Sequence, residues 1–161
     1  MHDVLVWLES SPLGIFMRGT GPWTYPVVNV IHVFGVATLF GAVLVLDLRL
    51  LGAWRRAPLP PITTVAAPIA MAGFALAAAS GVCLLTANAV EYEDNPVLLV
   101  KFLAIGLGLV NAVVLRRTAA WRAHTTRALS PSEARRLQLI GGVSLVSWLT
   151  AVGAGRMIGY W

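Results

Sequence analysis

Cysteine and charge are what this sequence has least of. Its single cysteine, Cys83, excludes an internal disulfide and any metal site built from several thiolates; it reads as a small packing residue. Charged residues make up only 12% of the chain, well below the share usual in a soluble domain. Also missing are a G-x-S-x-G elbow, an H-E-x-x-H helix, a glycine-rich phosphate loop and a pair of carboxylates within an apolar run. Those absences argue against the common hydrolytic chemistries, and stand-alone catalysis is not expected.

What remains is oil. Hydrophobic residues supply 58% of the 161 positions and the mean hydropathy is +0.78. Four apolar runs, at about 27–47, 66–88, 97–115 and 138–158, reach or approach the roughly 20 residues needed to cross a bilayer core. The expected fold is all-α: an integral membrane four-helix bundle forming a single transmembrane domain over residues 1–161. An interfacial helix is expected at 4–17, where Val4, Leu5, Trp7 and Leu8 are interrupted at Ser11-Pro12. That segment is too short to span, and Trp7 and Trp23 suit headgroup level. The opening MHDVLVWLESSP carries Asp3 and Glu9 where a secretory signal has basic residues, so it is expected to be retained.

The net charge of +5 is a matter of topology. Arg49, Arg55 and Arg56 follow the first span, and Arg116, Arg117, Arg122, Arg127, Arg135 and Arg136 lie between the third and fourth. Nine of the twelve basic residues thus occupy alternate connections, while the stretch between spans two and three, NAVEYEDNP, is acidic. By the positive-inside tendency the arginine-rich connections face the cytoplasm and both termini face outward. The bilayer, not nucleic acid, is the expected partner.

Punctuation supports these spans. Asn95-Pro96 should start the third helix, and Ser130-Pro131-Ser132-Glu133 is a capping box that starts the fourth before the membrane is reached. APLPPITT at 57–64 reads as a stiff connector, with Pro68 starting or kinking the second span. Small residues crowd the second span, and Gly155 and Gly159 have GxxxG spacing in the fourth. Helices in lipid associate through such residues, so tight packing is expected, with a homo-oligomer or larger membrane complex open.

Against this background a few polar residues stand out. Asn29 and Asp47 are eighteen residues apart, five helical turns, and His32 lies about 60° from Asn29 on the same side. Such a stripe should face protein or water, because an ionisable group in lipid costs several kcal/mol. At about 1.5 Å per residue, His32 lies about 8 Å below the outer boundary, Lys101 about 6 Å and Arg156 about 3 Å. Asn29, His32, Lys101 and Arg156, roofed by Tyr25 and Tyr92, therefore form the candidate ligand-binding set. The plainer reading is that Lys101 and Arg156 snorkel and that His32 hydrogen-bonds a neighbouring helix. At the inner end, Asp47 is expected to pair with Arg49 and Arg116 as a structural clamp. Asn111 is expected to bond across helices and His124 to be solvated.

A positive pocket with one histidine suits an anion, a quinone carbonyl or a haem b with its propionates near the lysine. Haem would need a second axial ligand, Met71, Met157 or a second subunit. Cu(I) would suit His32 and Cys83, though a nearby lysine opposes it.

WLESSPLG, the early histidine, DLRLLG, YEDNPVLLVK, LVNAVVL and the closing GRMIGYW together resemble an uncharacterised bacterial family of small four-helix membrane proteins, a domain of unknown function. The resemblance covers nearly the whole chain and implies a bacterial inner membrane, but no activity. Where that family's pattern often has a histidine after the NA-containing stretch, this chain has Arg116-Arg117. A looser similarity, to the membrane domain of copper-resistance D-type proteins, implies metal handling. The expected function is a non-hydrolytic binding or redox-associated subunit; a metal or small-solute transport component and a purely structural partner are the alternatives.

Overall fold

A computed structural model describes residues 2–160, and they are helical almost throughout with no strand among them. Two short helices come first, α1 (His2–Glu9) and α2 (Pro12–Gly19). Four long helices carry most of the chain: α3 (Thr24–Leu51), α4 (Leu59–Ala87), α5 (Pro96–Arg117) and, after the short α6 (Ala119–Ala123), α7 (Pro131–Met157). Two 3-10 turns, Val90–Tyr92 and Ile158–Tyr160, complete the order. All four long helices are long and apolar enough to cross a membrane, with mean hydropathies of 2.1, 2.0, 2.4 and 1.6 in chain order.

Each boundary has a local cause. Ser11 ends the α1–α2 corner by accepting a hydrogen bond from the Gly14 amide at 3.2 Å, with Pro12 in the first helical turn. α3 stops at Gly52, whose φ of +110° only glycine adopts without strain. There the Ala53 amide folds back to the Leu48 carbonyl at 2.8 Å. The expected capping box at α7 is present, with Glu133 and Ser130 bonded reciprocally.

α4 differs from expectation at its start. The proline-rich stretch read as a connector is already helical from Leu59, because prolines in a first turn need no amide partner. Thr63 and Thr64 both donate to the Pro60 carbonyl at 2.9 Å, and Pro68 is carried inside the helix. The GxxxG pair also differs: α7 ends at Met157, so Gly159 lies in the terminal 3-10 turn.

By internal contacts the chain divides into two compact units, residues 2–39 with 71–96, and residues 40–70 with 97–160. In the first, α3 and α4 meet backbone to backbone. A Cβ on Gly35 would lie 2.6 Å from the Ala77 nitrogen, and one on Gly73 would lie 2.4 Å from the Leu39 nitrogen. Only glycine permits that approach. The second unit has a more conventional core, with Leu46 and Leu50 of α3, Ala66 of α4, Leu115 of α5, and Leu137 and Ile140 of α7. Trp148 of α7 lies over Gly108 of α5.

Candidate functional site

Close packing of α3 on α4 fixes the ring of His32. Its Nδ1 lies 2.9 Å from the Ala77 carbonyl oxygen and 3.2 Å from Ser80 Oγ. A carbonyl has no hydrogen to give, so Nδ1 carries one and donates it. Ser80 directs its own hydrogen to the Leu76 carbonyl at 2.6 Å, which leaves its oxygen as an acceptor toward His32. In the neutral ring the lone pair is then on Nε2. Gly81 makes room, since a Cβ there would stand 3.1 Å from His32 Cε1. The same crossing that brings Gly35 onto Ala77 therefore sets which nitrogen the imidazole can offer.

Other members of the same unit surround this helix pair. Asn29, one turn before His32, is exposed. Tyr92 hydrogen-bonds Tyr25, so the two expected roof residues meet; burial, then the contacts with Tyr25, push the Tyr92 phenol up to about 12. Cys83 is half-buried, one turn beyond Ser80 on α4.

Lys101 and Arg156 belong to the other unit. Lys101 is half-buried on α5 and lies along Gly155, where a Cβ would be 3.4 Å from its Nζ. Arg156 is exposed and folds onto its own helix end. It donates to the Tyr160 hydroxyl at 2.5 Å, with the guanidinium carbon 4.7 Å from the ring centroid.

The clamp expected at Asp47 takes a different form. Asp47 is 2% exposed and its side-chain hydrogen bond is to Ser144 of α7, not to an arginine. Its Oδ2 has no hydrogen-bond partner among the described residues. Arg49 Nε donates instead to the Ala57 carbonyl at 2.9 Å and so closes the α3–α4 turn. Arg116 is exposed at the end of α5. Ion pairs form elsewhere, at His2–Glu93, Arg18–Glu9 and Arg127–Glu133, and none of these includes Asp47.

Asn111 does bond across helices, from Nδ2 to the Ile140 carbonyl at 3.0 Å. His124 is held rather than solvated: Nδ1 donates to the Trp121 carbonyl and Nε2 lies 2.9 Å from Thr63 Oγ1.

The chain belongs to the DUF6644 family. This is a family of unknown function, and the match runs over residues 4–161. No curated protein and no solved structure matches significantly. The resemblance carried by WLESSPLG and DLRLLG is therefore real over nearly the whole chain, and the DUF6644 assignment brings no activity with it. Among the described residues no three His, Cys, Asp or Glu side chains come together as a metal site.

Two features of this DUF6644 chain lie outside what the sequence pattern conveys. Arg18 donates to the Ala87 carbonyl at 3.1 Å and the Glu9 carbonyl at 2.8 Å, while the Val90 amide donates to Glu9 Oε2 at 2.9 Å. Nothing in helical periodicity links positions 9, 18, 87 and 90. The second is a crevice at the arginine-rich end, whose charges were legible in the sequence only as a topology signal.

Proposed function

We propose that this DUF6644 chain is a non-hydrolytic binding or redox-associated subunit of a bacterial inner membrane that takes its ligand at His32, with Asn29 as an accessory polar group. The observation that carries this reading is the Nδ1–H bond to the Ala77 carbonyl. A ring that donates from Nδ1 carries its lone pair on Nε2 when neutral, and histidines that bind a metal or accept a proton are held in this way. The lone pair on Nε2 suits iron, Cu(I) or the hydroxyl of a quinol; a quinone carbonyl would need the ring doubly protonated.

His32 would supply one of two protein ligands to a haem b, whose iron would supply one-electron chemistry when bound. Met71 and Met157 are 56% and 50% exposed, so they point away from the chain's own interior. That favours a second copy of the chain, with its own histidine, as the source of the other ligand. Cu(I) handling is the second reading, supported by the place of Cys83 one turn beyond the Ser80 that touches His32.

An absorption spectrum of the purified protein separates these readings. A Soret band that disappears in His32→Ala supports haem; a colourless protein rules haem out and leaves a quinol or copper. Orientation has its own test: a cysteine introduced at Ser132 should react only from the cytoplasmic side, and labelling from outside reverses the arrangement.

A further inference from the structure

The arginine-rich end of the second unit contains a crevice of about 450 Å³ whose walls include Arg49, Arg55, Arg127, His124 and Gln138. None of its lining residues is acidic. Arg127 is answered from the rim by Glu133, at 2.7 and 2.9 Å. Arg49 uses Nε on the Ala57 carbonyl, which leaves its two terminal nitrogens as further donors, and among the described residues neither it nor Arg55 forms an ion pair with a carboxylate. Arg55 is placed by the left-handed turn at Gly52, where a Cβ would stand 3.0 Å from its Nε. His124 is fixed as a wall by Thr63 and Trp121. The floor is apolar, formed by Leu50 and Leu137, which are 6% and 2% exposed.

Topology alone does not require this convergence. A positive-inside signal works wherever arginines sit on the correct side, and Arg116, Arg117, Arg122, Arg135 and Arg136 fulfil it without lining the crevice. Arg49 and Arg55 instead bring like charges into one concave site, and that arrangement is stabilised by an anion between them. The N-terminus of α7 is not the attraction, because Ser130 and Glu133 already cap it. Guanidinium donors above an apolar floor, at the boundary of a membrane span, match a phosphate group carried on or near lipid.

We propose that this crevice binds a phosphate-bearing anion, either the phosphodiester of an anionic lipid headgroup or a soluble phosphate. The proposal is independent of the reading of His32.

The test uses the full chain in phosphatidylcholine nanodiscs. One arm titrates inorganic phosphate and pyrophosphate by calorimetry. The other adds phosphatidylglycerol and counts retained lipid by native mass spectrometry. Arg49→Gln/Arg55→Gln should weaken binding about tenfold or more, as expected for lost charge-assisted hydrogen bonds. Arg135→Gln/Arg136→Gln removes the same charge outside the crevice and should change binding by less than about twofold. Arg55→Gln alone, which breaks no side-chain hydrogen bond among the described residues, keeps the test valid if the double variant misfolds. Loss confined to the phosphatidylglycerol arm identifies lipid, and loss in the phosphate arm identifies a soluble anion. Equal loss in both double variants, or no binding by the unmodified protein in either arm, overturns the proposal.

Discussion

The two units of this chain are held together in different ways. In residues 2–39 with 71–96, contact is made by backbone: Gly35 and Gly73 let α3 and α4 approach until main-chain atoms touch. In residues 40–70 with 97–160, contact is made by side chains, with Leu46, Leu50, Leu115, Leu137 and Ile140 filling one core and Trp148 covering Gly108. Each arrangement yields its own kind of site. Helices in backbone contact can offer a carbonyl as a fixed acceptor, and that carbonyl orients His32. Helices separated by leucines leave a crevice where their loops meet, and side-chain charge gathers there. The first kind of site depends on what is missing at a Cβ, the second on what long side chains bring.

A single substitution type, glycine to alanine, can probe this contrast at three depths. Gly35→Ala should be the most damaging, because the new Cβ would meet backbone at 2.6 Å and α4 would have to move away. A loss of about 3 kcal/mol is expected, at the upper end for overpacking. His32-dependent absorption or ligand binding should fall with it, as Ala77 retreats. Gly108→Ala should cost about 1 kcal/mol, since the new atom meets the Trp148 ring at 3.0 Å and a side chain can shift more readily than a backbone. Gly155→Ala should be close to neutral, within about 0.5 kcal/mol, because it meets the flexible end of Lys101 at 3.4 Å. Unfolding in detergent titrated with denaturing surfactant would rank the three, and any other order would break the contrast between the units.

The smallest effect is expected from pH. Tyr92, buried and bonded to Tyr25, has its phenol pushed up to about 12 from an ordinary value of 10.0. A raised acid is stabilised in its neutral form, so the contribution is fully present below about pH 10 and fades as pH rises toward 12. Tyrosinate absorbance should show one late-titrating group, and Tyr92→Phe should remove that late step.

Much of the fold was legible because each clue was local. Asn111, a lone amide in an apolar run, had to find a carbonyl across a helix boundary, and it found that of Ile140. Ser130 and Glu133 announce a helix start within four residues. APLPPITT was misread because prolines look like a connector when the helix they open is not yet visible. Partners distant in sequence were less accessible. Asp47 meets Ser144 and not an arginine, and His124 meets Thr63, because neighbours around a set of helices are decided by packing and not by periodicity. The stripe of Asn29, His32 and Asp47 was expected to face inward, which holds for His32 and Asp47 but not for the exposed Asn29, and no spacing rule reveals that Ala77 would be the acceptor of His32.

The Arg18 contact has a consequence for where this protein can function. Its guanidinium, on α2, bonds the end of α1 and, 69 positions away, the end of α4, closing that stretch by hydrogen bonds and an ion pair to Glu9. Many secreted chains make such a closure with a disulfide, which a reducing environment can open. Here the staple contains no sulfur, and the chain has only Cys83 to oxidise. This end of the first unit should therefore hold equally well on either side of a redox boundary, and a reductant such as dithiothreitol should leave the protein's melting temperature unchanged.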